Sequence, residues 1–151
     1  MIRFICIDDR SNNMENNNTQ NDVVKLSRKS QREEVVKALY QMDLTTDFNV
    51  ELTEYEYINE AITGVITNVE KIDEIISANL EKWSLKRLTF MDRAIIRFAV
   101  YEMDFTDTPF EIVVNEALNI TRKYTDEGNG KMVSFTNKVL DNIDKYLKKL
   151  G

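Results

Sequence analysis

Apolar residues recur at helical spacing from Ser27 onward. Val35, Ala38, Leu39 and Met42 fall three or four apart, with Val36 and Tyr40 beside them, which is the period of an amphipathic helix. Ser27 or Ser30 can cap its start. Ser30 with Glu33 matches the Ser-x-x-Glu capping box, which satisfies two orphan amides reciprocally. Residues 43–47 read as a loop. A second helix is predicted over 53–67, with Tyr57, Ile58, Ala61, Ile62, Val65 and Ile66 on one side. Asn68 is placed to cap a third, which carries Val69, Ile72, Ile75, Ile76 and Leu80.

Residues 83–88 form a short turn or helix before a fourth long helix over 89–104. There Met91, Ala94, Ile95, Phe98, Ala99 and Met103 make a stripe that Ile96 and Val100 widen, and that width implies burial on more than one side. Pro109 sits where it can open the next helix, because its missing N–H is unsatisfied there anyway. Ile112, Val113, Ala117, Ile120 and Tyr124 form that helix's stripe. Gly128 and Gly130 mark a loop. The last helix, 132–150, points Val133, Phe135, Val139, Leu140, Ile143 and Leu147 inward. The predicted architecture is an all-α, compact bundle of six or seven helices joined by short loops. Ahead of it, residues 1–26 cluster Asn12, Asn13, Asn16, Asn17, Asn18 and Asn21 with no apolar period. That composition is expected to be a disordered polar extension, leaving 27–151 as the folded domain.

Composition agrees with helices. Among 151 residues there are four glycines and one proline, too few for strands linked by tight turns. It also narrows the chemistry. With no histidine and a single cysteine, Cys6, neither a Ser-His nor a Cys-His pair can be built, and the usual zinc ligand sets are missing. No glycine-rich phosphate loop is present; Gly128-Asn129-Gly130-Lys131 lacks the preceding strand and reads as an interhelical connection. Catalytic residues, metal and cofactors are therefore expected to be none. No apolar run is long enough for a membrane span or a signal peptide, so a cytoplasmic protein is expected.

Charge adds a direction. The net charge is −6, which argues against a protein that coats nucleic acid indiscriminately. Yet residues 25–37 and 131–149 each carry a net +3, whereas residues 43–60 hold six acids and no base. Either these are solvated helix surfaces, or the protein has one basic and one acidic face. Arg28 and Arg32 stand four apart with Lys25 and Lys29 alongside, and Tyr40 follows two turns after Arg32. Cations beside an aromatic ring suit RNA, whose phosphates take the charges while an unstacked base takes the ring. Tyr40 in the core is the alternative.

Residues 82–102, Lys-Trp-Ser-Leu-Lys-Arg-Leu-Thr-Phe-Met-Asp-Arg-Ala-Ile-Ile-Arg-Phe-Ala-Val-Tyr-Glu, resemble the central block of the NusB family. Pro109 to Ala117, Ala38-Leu39-Tyr40, and Phe135 to Asp141 are similar to three further blocks of that family, in the same order. The resemblance implies an all-α fold of two small helical sub-bundles. It implies an RNA-binding transcription antitermination factor, not an enzyme, that pairs with ribosomal protein NusE and grips boxA RNA. Other Nus factors would hold it on the RNA polymerase elongation complex, chiefly in ribosomal RNA operons.

Carried over residue by residue, the family's basic start of helix one falls on Arg28, Lys29, Ser30 and Arg32, and its RNA-facing tyrosine on Tyr40. Phe135, Asn137 and Lys138 complete the implied site, although Tyr40 and Phe135 also suit a core and Asn137 a helix brace. Trp83, Arg87, Arg93, Asn115 and Glu116 are assigned to folding and internal salt bridges. Three departures stand out: Ser30 replaces a common arginine, the stretch 124–134 is longer, and Lys138 stands where glycine is usual. They motivate a second reading, a NusE-binding adaptor with weak or no RNA binding. A third, a fragment of an RNA-modifying enzyme, follows because the same helical domain also precedes an rRNA cytosine methyltransferase. A monomer and a homodimer are both compatible with the sequence.

Overall fold

The computed structural model describes residues 25–151. The expected disorder of the polar extension, and Cys6 with it, lies outside the described residues except at Lys25 and Leu26. The described chain forms α1 (Arg28–Thr45), α2 (Glu56–Thr67), α3 (Val69–Ala78), a 3-10 turn (Leu85–Arg87), α4 (Phe90–Phe105), α5 (Phe110–Tyr124) and α6 (Lys131–Leu150). No strand occurs among these residues. None of these helices is long and apolar enough to cross a membrane.

The helix starts follow local chemistry. Ser27 is the N-cap of α1, its hydroxyl accepting from the Ser30 amide at 3.1 Å. The expected Ser30–Glu33 box does not form, because the cap lies three residues earlier and Glu33 turns toward α5 instead. Thr89 caps α4 by accepting from the Asp92 amide at 3.1 Å, and its hydroxyl donates to the Asp92 carboxylate at 2.7 Å. Such a cap contributes about 1 kcal/mol. Helix α1 also runs past the expected loop boundary and ends at Thr45, with Thr46 in the left-handed region at φ 56°. Asp43 therefore stays helical, and tertiary partners hold it there: it accepts from Arg93 Nε at 2.9 Å and faces Arg97 at 3.4 Å. Arg97 in turn donates twice to Asp73 at 2.8 Å, tying α1, α4 and α3 together.

Helix α4 is the axis of the fold. Ala94, Ile95, Ile96, Phe98, Ala99 and Val100 are all buried, so α4 packs on both sides, as the width of its stripe predicts. Helices α1, α2, α3, α5 and α6 all lie against it, with α1 packed also on α2 and α5 on α6. The two sub-bundles share this helix and one continuous core, in which Ile58, Ile62, Ile72, Ile96, Leu140 and Ile143 are fully buried. Each such side chain contributes about 1.5 to 3 kcal/mol by leaving water. On α5 the stripe is narrower than expected. Val113, Ala117 and Ile120 are buried, but Ile112 is 45% exposed and Tyr124 37% exposed. One residue turns an α-helix by about 100°, which carries Ile112 off the stripe that Val113 begins.

Helix α2 reaches α4 through Gly64. A Cβ there would lie 2.3 Å from the Tyr101 ring, which itself stacks on Phe105 at 5.9 Å between centroids. The loop between α5 and α6 is shaped by Asp126, whose carboxylate accepts from the amides of Gly128 and Gly130 at 3.1 and 3.2 Å. Gly130 has φ 75°, a left-handed conformation that suits glycine, and α6 starts directly after it.

Candidate nucleic-acid interface

Arg28 and Arg32 share a face of α1, and that face looks toward α2 and α4. Arg32 is buried, and its Nε and Nη2 donate to the two oxygens of Glu102 at 3.0 and 3.3 Å. Glu102 also accepts from the Tyr57 hydroxyl at 2.9 Å. Arg28 stays exposed and lays its guanidinium over the Tyr57 ring at 3.8 Å from the centroid. Burial works against the charge on Arg32, but the bidentate carboxylate outweighs it and holds the guanidinium above its ordinary value. Burial, reinforced by the Glu102 carboxylate, raises the Tyr57 hydroxyl well above the ordinary tyrosine value. Arg32 is thus engaged by Glu102, not presented to solvent.

Ser30 lies in the first turn of α1, where its amide and its hydroxyl both meet Ser27. Tyr40 is half-buried and packed against the core. It does not align with Arg32. Eight residues leave a rotation of about 80°, whereas the eleven residues from Lys29 leave about 20°. Tyr40 therefore belongs to the line Lys29, Glu33, Lys37, which faces α5.

Along that line α1 and α5 run in the same direction. An open cleft of ≈ 370 Å³ between them is lined by Lys29, Glu33, Glu116, Asn119, Arg122 and Lys123, among others. One turn on, Lys123 Nζ donates to Glu33 Oε1 at 2.7 Å, and the Tyr124 hydroxyl donates to the same oxygen. Lys37 Nζ stands 3.8 Å from Glu33 and 5.7 Å from the centre of the Tyr124 ring. Burial opposes the charge on Glu33, but Lys123, Tyr124 and Lys37 prevail, so its carboxyl titrates below the ordinary value. Glu33 in turn raises Lys123. In sequence Tyr124 falls in the apolar stripe and Arg122 and Lys123 have no assigned role, although two cations followed by an aromatic ring are the signal applied to α1.

The α6 residues gather at a second site. Phe135 is half-buried and meets Trp83 edge to face, with centroids 6.4 Å apart. Trp83 is 51% exposed, so it is not the folding residue expected, whereas Arg93 does pair internally, with Asp43. Trp83, Phe135, Lys82, Lys138, Asn79 and Asn142 border an open pocket of ≈ 210 Å³. Asn137 and Lys138 are exposed, and Lys138 Nζ is 3.8 Å from Glu81. The structure thus brings Arg28, Lys29 and Ser30 together in the first turn of α1 and Phe135, Asn137 and Lys138 together on α6, while Arg32 turns inward. Among the described residues, no group of three or more acids and cysteines is placed to hold a metal.

An all-α bundle built around one shared central helix, with cations and aromatic rings on α1, α5 and α6, is the class these features define. The chain belongs to the NusB family, whose profile matches residues 29–145. Curated relatives named "Transcription antitermination protein NusB", from Bacillus cereus strain B4264 and Bacillus anthracis strain CDC 684 / NRRL 3495, are each 38% identical over 133 residues, covering 81% of this chain and all of theirs. Among solved structures, T. maritima NusB is 35% identical with a TM-score of 0.68, covering 81% of this chain and 93% of that one. A chain from the crystal structure of antitermination factors NusB and NusE in complex with dsRNA is 28% identical with a TM-score of 0.66, covering 79% and 96%. A chain from a structure described as a plectonemic RNA supercoil is also 28% identical, with a TM-score of 0.71, covering 82% and 98%.

Proposed function

We propose that this protein is an RNA-binding transcription antitermination factor that pairs with ribosomal protein NusE and binds boxA RNA, chiefly in ribosomal RNA operons, held on RNA polymerase by other Nus factors. The observation that carries the reading is the likeness to a chain from a structure of NusB and NusE with dsRNA, together with the cations and aromatic rings on α1, α5 and α6 here. Phosphates would meet Arg28, Lys29 and Lys138, and unstacked bases would meet the rings of Tyr40, Phe135 and Trp83. Ser30 and Asn137 flank these groups and supply neutral hydrogen bonds. The work is binding and needs no catalytic group.

A specific observation favours a second reading, the NusE-binding adaptor. Arg32 is consumed by Glu102, and Glu33 sits among the cations of the α1–α5 cleft, so the basic surface is thinner than the charge count suggests. Fluorescence anisotropy separates the two. Labelled boxA-type RNA is titrated with the protein, with and without NusE, at two salt concentrations. Salt-sensitive binding that strengthens with NusE and fails for a scrambled RNA is the expected outcome. NusE binding with no preference for boxA would establish the adaptor instead.

A further inference from the structure

Glu33 occupies an anion site built from three side chains on two helices. Its Oε1 receives Lys123 Nζ at 2.7 Å and the Tyr124 hydroxyl, with Lys37 Nζ 3.8 Å away. Two ammonium groups and a hydroxyl converging on one oxygen are the donor set that a phosphate oxygen takes. The site opens beside the cleft bordered by Lys29 and Arg122. The other carboxylate of that cleft, Glu116, lies 4.0 Å from Arg32 and accepts from the Asn119 amide at 3.4 Å, which leaves Glu33 as the acid among the cations. Lys123 is 59% exposed and Tyr124 37% exposed, so both are free to swing to a ligand.

We infer that Glu33 is an internal competitor for RNA phosphate: in the free protein it pairs with Lys37 and Lys123 and accepts from the Tyr124 hydroxyl, and a backbone phosphate of bound RNA takes its place. The inference rests on the RNA-binding reading above and adds two cations and a tyrosine to the interface. The exchange costs affinity, because one carboxylate must be left without its partners, and it filters weak ligands, because a lone phosphate contact does not repay that loss. No covalent step is involved.

The test is the RNA titration repeated with Glu33→Gln, which keeps the shape of the side chain and removes its charge. Its partners are exposed or, for Lys37, also 3.8 Å from Glu34, so no buried cation is stranded and the fold should persist. Exposed ion pairs are worth up to about fivefold each, so RNA affinity at low salt should rise about three- to tenfold. The plot of log K against log salt should steepen by about 0.7 to 1.4, as one or two further cations reach phosphates of a single strand. Lys123→Met should then cost more affinity in the Glu33→Gln background than in the wild type. Should Glu33→Gln fail to fold, Glu33→Asp, which retracts the charge by one methylene, should show a smaller gain in the same direction. Wild-type binding with no gain from a folded Glu33 variant, or equal losses on Lys123→Met in both backgrounds, would overturn the inference alone. No RNA binding by either protein, with or without NusE, would overturn the RNA reading and this inference with it.

Discussion

Replacing Arg32 with methionine should destabilise the fold and leave RNA binding by the surviving folded protein nearly unchanged. The guanidinium is 10% exposed, and it holds both oxygens of Glu102, which is 3% exposed. Methionine fills much of the same volume but strands the carboxylate. Breaking a buried pair by removing one partner costs about 3 to 5 kcal/mol. Here the lower end applies, because Tyr57 still donates to Glu102 at 2.9 Å and Thr108 lies 3.4 Å away. Urea unfolding of a domain this size has a slope of about 2 kcal/mol per molar, so a loss of about 3 kcal/mol lowers the midpoint by about 1.5 M. Adding Glu102→Gln removes the stranded charge and keeps an acceptor for Tyr57, so the double variant should recover at least half of that loss. An unchanged urea midpoint with a large loss of RNA affinity would refute the reasoning and return Arg32 to the RNA surface.

Two further perturbations probe the packing and the titration of the same core. Gly64→Ala should cost about 1 to 3 kcal/mol, since its Cβ would fall 2.3 Å from the Tyr101 ring, and Tyr101→Ala should relieve the clash; thermal unfolding of the single and double variants checks it. Tyr57 is raised above its ordinary value of 10.0 in the folded protein, so it stays neutral where the unfolded chain ionises. Its contribution is therefore intact below pH 10 and lost as pH rises beyond it, by up to about 1.4 kcal/mol per unit. Tyr57→Phe should flatten that alkaline limb in urea titrations from pH 9 to 11; an identical limb would show that another group governs it.

The helices were legible because their cores obey one period, and α4 was placed between two layers by the width of its stripe alone. What sequence could not show were pairings between distant residues. Asp43 looked like loop because acids and threonines follow it, yet Arg93 and Arg97, fifty and fifty-four positions away, keep it helical. The charge on Arg32 suggested solvent or RNA, but its partner Glu102 lies seventy residues on. A longer separation, ninety and ninety-one residues, hid the clasp of Glu33 with Lys123 and Tyr124, so the cleft between α1 and α5 is visible only with the two helices side by side. Trp83, assigned to folding with Arg87, Arg93, Asn115 and Glu116, is half exposed here, with its ring edge to face against Phe135.

The most direct test of where RNA sits is amide chemical-shift mapping of the labelled protein on addition of boxA-type RNA. The proposed RNA surface requires shifts concentrated at residues 28–40 on the Lys29–Tyr40 line, at 119–124 in α5, and at 131–138 with Trp83. Shifts confined to the acidic stretch 43–60, or spread evenly over the bundle, would contradict it.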